Sequence, residues 1–97
     1  MGYDFHPAAQ RELQEAVDYY DAISQDLGDA FLDEVERALE RIVDFPEAWA
    51  QLSANTRRCR MLGFPYGIIY QSRGDRLLVI AVMDLQRKPN YWADRTC

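Results

Sequence analysis

Cysteine is scarce in this chain, with only Cys59 inside an expected strand and Cys97 at the end. Two thiols so placed make neither a disulfide framework nor a metal-ligand spacing, so both are expected to be free, with no metal site and no cofactor. Histidine is scarcer still. His6 is the only one, and it stands before Pro7 at an expected helix start, where capping or surface exposure suits it better than proton transfer. Long apolar runs are missing as well, since nothing approaches the roughly 20 residues that a membrane-spanning helix needs. Met1-Gly2-Tyr3-Asp4 carries neither a basic leader nor an apolar signal core, so a cytoplasmic address without a membrane partner is expected. No repeat, low-complexity tract or linker divides the sequence, and 97 residues suffice for one core but not for a second lobe. A single domain over 1–97 is expected.

What is present is charge, unevenly spread. The net charge of −5 hides two halves: residues 1–50 carry thirteen acids against Arg11, Arg37 and Arg41, whereas residues 51–97 carry eight bases against Asp75, Asp84 and Asp94. Seven of those eight bases are arginine, namely Arg57, Arg58, Arg60, Arg73, Arg76, Arg87 and Arg95, with Lys88 the exception. The planar guanidinium fork suits bidentate recognition of carboxylate or phosphate. A basic rim that captures a partner, or a solvated rim paired with acidic helices, are the two uses open to such a distribution.

Periodicity supplies the elements. Tyr3-Asp4-Phe5 forms a short strand; Leu13, Ala16, Val17, Tyr20, Ile23 and Leu27 then recur at steps of three and four, one stripe of a helix. Gly28 reads as its stop and Asp29 as the N-cap of a second helix. Phe31, Val35, Ala38, Leu39, Ile42 and Val43 carry the second stripe up to Pro46. Glu47–Thr56 is expected to be a long loop, with Trp49 packing over the helix–sheet junction. Strands follow at Arg57–Phe64, at Ile68-Ile69-Tyr70-Gln71 and at Leu77–Met83, the last apolar on both faces and so suited to cover from both sides. The fold class is α+β: an N-terminal helical hairpin packed on a small, mainly antiparallel sheet in the order β-α-α-β-β-β.

These residues resemble the RelE/ParE superfamily of toxins from type II toxin–antitoxin systems, nearest its ParE-like branch. The landmarks are His6-Pro7-Ala8-Ala9 with Leu13, Tyr19-Tyr20, Leu27-Gly28 with Phe31-Leu32, and Arg57-Arg58 before Phe64-Pro65-Tyr66 and Ile69-Tyr70. Ile80-Ala81-Val82 with Arg87, Pro89 and Tyr91-Trp92 completes the set. The resemblance implies a toxin that inhibits growth, neutralised by a cognate antitoxin in a toxin–antitoxin hetero-oligomer, with a non-toxic relative that only binds its partner as an alternative. Where many relatives carry histidine, this chain has Asp84, which is ionised and acceptor-only at neutral pH.

Two targets follow from the resemblance: DNA gyrase, bound by ParE-like members, or ribosome-associated mRNA, cut by RelE-like endoribonucleases. For RNA cleavage Arg58, Arg60 and Arg87 would supply cations and Tyr91 an acid, but no base remains beside them. An acidic protein also gains little from counterion release in an RNA-rich cavity. Gyrase is therefore the expected target, met by Arg87, Lys88, Tyr91, Trp92 and Arg95, rings and guanidinium groups of the kind that anchor interfaces. Tyr19 with Arg57, Arg58 and Arg60 is the expected antitoxin contact.

Overall fold

The computed structural model describes residues 2–87 and 90–96; Lys88 and Cys97, assigned above, lie outside them. Strand β1 (Gly2–Phe5) leads to helix α1 (Pro7–Ile23) and helix α2 (Gln25–Asp44), and then to strands β2 (Ala50–Ser53), β3 (Thr56–Arg60), β4 (Tyr66–Arg73) and β5 (Arg76–Asp84). A 3₁₀ turn at Ala93–Arg95 follows. The strands form one sheet in the order β1-β5-β4-β3-β2. β1 runs parallel to β5 and the other pairs are antiparallel. The α+β class holds. One more strand is present than the sequence pattern suggested: β2 occupies the expected loop, an edge strand with all four residues exposed and therefore without an apolar signature.

Helix α1 begins as the sequence implies. The Nδ1 of His6 accepts the Ala8 N–H at 3.0 Å and Pro7 takes the first turn, where its missing N–H costs nothing. Its end differs from expectation. The break falls at Ser24, whose extended backbone closes α1 and whose Oγ accepts the Leu27 N–H at 3.1 Å, capping α2. Gly28 and Asp29 are interior to α2. Glycine is needed at 28 for close approach: a Cβ there would lie 3.2 Å from the Cα of Asp21, across the hairpin. The early break also leaves Ile23 60% exposed, outside the stripe to which its spacing assigned it.

One apolar cluster lies between the hairpin and the sheet. Phe31, Val35, Ala38, Leu39 and Ile42 of α2 and Ala9 and Ala16 of α1 pack on Cys59, Ile68, Tyr70, Leu77, Val79 and Val82, with Trp49 at the margin. A second cluster covers the opposite face. There Ile69, Ile80, Ala81 and Met83 meet Trp92, flanked by Leu78 and Tyr91. The expectation that Leu77–Met83 is covered on both sides holds, and the chain's own last residues form the second cover.

A β-bulge lets β5 serve both clusters. Ile69 pairs with Ala81 and Tyr70 with Val79, so Ile80 is the extra residue. The insertion breaks the alternation of faces, and consecutive Ile80 and Ala81 both join the second cluster.

Glu34 ties the hairpin to the sheet. Only 6% exposed, it accepts the Leu62 N–H and the Arg41 guanidinium, each at 2.7 Å. Burial alone would push its carboxyl up; the Arg41 and Leu62 hydrogen bonds outweigh that and hold it below the usual value. A depressed folded-state pKa adds stability above the unfolded value of about 4.3 and loses it as pH falls through the folded pKa. Glu34→Gln should therefore lower stability at pH 7 by about 1–3 kcal/mol while flattening the acid limb of a urea-midpoint-against-pH curve. An acid limb of unchanged slope would contradict this.

Candidate functional site

The edge of β5 beyond β1 is where the site is built. β1 covers β5 only as far as Val79, which accepts the His6 N–H at 2.9 Å. Past that point the backbone groups of the bulge need other partners, and side chains from the two ends of the chain supply them. Glu12 of α1 accepts the Val82 N–H at 3.1 Å, and Arg95 donates to the Ile80 carbonyl at 3.1 Å. The two side chains also pair with each other, Arg95 Nη1 to Glu12 Oε1 at 2.9 Å and Nη2 to Oε2 at 3.2 Å. The side chains are only 15% and 10% exposed, which makes this a desolvated ion pair.

Tyr91 sits between two cations. The Arg87 guanidinium carbon lies 4.3 Å from its ring centroid and that of Arg95 lies 5.1 Å away. Its hydroxyl is buried, with no hydrogen-bond partner among the described residues. Burial first, and then the neighbouring Glu12 carboxylate, push that hydroxyl well above the usual phenol range. Arg87 keeps more than half of its side chain in solvent and lies 4.0 Å from Glu12.

Beside this latch a cleft of about 550 Å³ opens between α1 and the far ends of β4 and β5. Ala16, Tyr19, Tyr20, Pro65, Tyr66 and Val82 form its walls, and Glu12, Glu15, Asp84, Gln86 and Arg87 its polar parts. Tyr20 belongs to a nest of rings with Phe31, Phe64 and Tyr66, and Tyr19 meets it edge-on at 5.0 Å. Burial, with the Tyr19 hydroxyl and Asp84 close by, raises the Tyr20 phenol pKa; burial and Asp84 raise that of Tyr66. The three tyrosines and Asp84 line the same cleft. Asp84 accepts the Gln86 N–H at 2.9 Å and otherwise faces the cleft.

The residues picked out from the sequence do not form one surface. Trp92 is 5% exposed, filling the second core cluster instead of standing at a rim. Arg95 is held by Glu12, so neither is presented to a target in this structure. Arg87 and Tyr91 are together, with only Arg87 substantially exposed. Of the three expected antitoxin arginines, Arg57 pairs in register with Tyr70, on the helix side, and donates to the Trp49 carbonyl at 2.9 Å. Arg58 pairs with Ile69 and lies across Gly67 on the opposite face, its Nε buried without a hydrogen-bond partner among the described residues. Arg60 shares no face with Arg57 either and is exposed. Arg76 pairs with Asp4 at 2.9 Å, and Arg73 donates to Gln71 Oε1 at 2.8 Å. The arginine rim is largely engaged internally.

Tyr19 is 61% exposed and lines the cleft. The cleft itself was missed. Its signal was present as Glu12, Glu15, Ala16 and Tyr19, spaced three and four apart along one face of α1. Cys59 is buried, and burial pushes its thiol up, so it is an inert core residue. Among the described residues no three His, Cys, Asp or Glu side chains gather in metal-binding geometry, and no helix is long and apolar enough to cross a membrane.

A sheet latched at its open edge by Glu12 and Arg95, under a helical hairpin, makes a small α+β architecture. The family model described as the ParE toxin of type II toxin–antitoxin systems, parDE, matches residues 3–89, and the chain belongs to that family. A solved structure described as the chromosomal ParDE toxin–antitoxin system from P. aeruginosa has the same fold, with a TM-score of 0.63 at 12% identity over 89% of this chain and 97% of that one. No curated protein matches the sequence.

Proposed function

We propose that this protein arrests bacterial growth by binding DNA gyrase and is neutralised by a cognate antitoxin. The family match over residues 3–89 carries the reading. The geometry supports action by binding. Arg87, stacked on Tyr91 and more than half exposed, is a preset cation at the end of β5 that a partner carboxylate or a phosphate can take up. Catalysis of RNA cleavage is less well served, since the Tyr91 hydroxyl is buried and its proton held more tightly than in free tyrosine.

Induction of the chain without its antitoxin is expected to stop growth, and the purified protein to block supercoiling by gyrase or trap cleaved DNA. Arg87→Ala should weaken gyrase inhibition by about tenfold or more, the scale of one charge-assisted anchor, with little change in thermal unfolding because its ion pair with Glu12 is long, at 4.0 Å, and half exposed. Full inhibition by a folded Arg87→Ala protein would remove Arg87 from the target surface. Cut message on translating ribosomes, with gyrase unaffected, would replace the proposal with the endoribonuclease alternative.

A further inference from the structure

Glu12 in the latch and Tyr20 and Tyr66 beside the core serve the fold, but the cleft they share with Glu15, Tyr19 and Asp84 also has a specific chemistry. Apart from Arg87 and the Gln86 amide, its polar side chains are carboxylates and phenols, each of which can accept a hydrogen bond. Among the described residues Glu15 and Asp84 have no cation partner, and the hydroxyls of Tyr19, Tyr20 and Tyr66 make no hydrogen bond. Glu12 is already matched by Arg95, with Arg87 beside it. The remaining set is two carboxylates and three phenols around an apolar floor of Ala16, Pro65 and Val82.

We propose that this cleft is a socket for an arginine side chain carried by a partner protein. A guanidinium presents five N–H donors in one plane and no acceptor, which complements a ring of acceptors. Its faces stack on aromatic rings, which a tyrosine-walled cleft offers, whereas an ammonium is a point charge that uses fewer of them. At about 550 Å³ the cleft lies within the roughly 300–1,000 Å³ of sites that enclose a ligand group. The outer wall tells more about the occupant. Tyr19 and Ile23, one helical turn apart and 61% and 60% exposed, continue the cleft as an apolar ledge, so the arginine is flanked by apolar side chains in the docking segment. The partner's identity as the antitoxin rests on the toxin–antitoxin reading above; the chemistry of the socket does not. An arginine seated there lies next to Arg87, so filling the socket and presenting Arg87 to a target exclude one another by crowding and like charge. Neutralisation then needs no rearrangement of the latch.

The test uses the full chain with carbon-13-labelled tyrosine rings and the blocked peptide acetyl-Leu-Arg-Leu-amide. Saturable shifts of Tyr19, Tyr20 and Tyr66 are expected, with none for acetyl-Leu-Glu-Leu-amide and weaker binding for the lysine peptide. The double variant Glu15→Gln/Asp84→Asn, its fold checked by circular dichroism, should lose about tenfold or more in affinity for the arginine peptide. Equal response to the arginine and glutamate peptides, or undiminished affinity in the double variant, overturns the socket. Growth arrest by the wild-type chain is read separately, so failure of the toxin function and failure of the socket are distinguishable.

Discussion

Glu12→Ala is expected to destabilise the protein by about 3–5 kcal/mol, the cost of removing one partner of a buried ion pair and leaving the other charged and unmatched. The Arg95 guanidinium would lose its carboxylate hydrogen bonds and keep the one to the Ile80 carbonyl, and the Val82 N–H at the bulge would lose its acceptor. For a domain of this size the melting temperature should fall by more than about 10 °C. The pair itself is a weaker source of stability than its removal suggests, because both charges were taken out of water to make it. Glu12→Leu combined with Arg95→Met should therefore recover much of the loss, and the two single changes should prove strongly non-additive. Losses that simply add would mean that the two side chains act independently. A melting temperature within a degree or two of wild type for Glu12→Ala would mean that the latch does not hold the end of the chain.

Much of the architecture was legible where a local pattern and the tertiary environment agree. Leu77–Met83 is apolar without alternation because both faces are covered, and the helical stripes mark the side that meets the sheet. β2 was not legible, since Ala50–Ser53 is exposed throughout and is a strand only by its register with β3. Gly28 offered a stronger stop signal than Ser24, but its missing side chain serves the crossing of the helices. The site was read less well for a related reason. Arginine content was visible; the partners of each arginine were not. Arg95 meets Glu12 across 83 positions of sequence, and Arg57 and Arg58, adjacent in sequence, point to opposite faces by the alternation of a strand. Tyr20 fitted the apolar stripe and Tyr66 fell between two expected strands, so only the α1 side of their shared cleft left a signal in the sequence.

Trp92→Ala separates the two roles that the last aromatic pair can play. A surface anchor, when truncated, leaves the fold intact and abolishes binding. A core ring leaves a cavity, at a cost of about 3–5 kcal/mol for a buried large aromatic side chain. At 5% exposure Trp92 is packed with Ile69, Ile80, Ala81 and Met83, and it is the largest side chain on that face. The expected result is a lowered unfolding midpoint and increased binding of a hydrophobic dye, because β4 and β5 lose their cover. Trp92→Phe keeps an aromatic ring over the sheet and should retain most stability together with full growth arrest, as a partner-contacting tryptophan would not. Tyr91→Phe gives the complementary comparison: its buried hydroxyl has no hydrogen-bond partner among the described residues, so removing it should cost little while preserving the ring against which Arg87 is held. If Trp92→Phe melts like the wild type yet no longer arrests growth, the ring must leave the core to reach its target, and the covering segment would then be the moving part of the toxin.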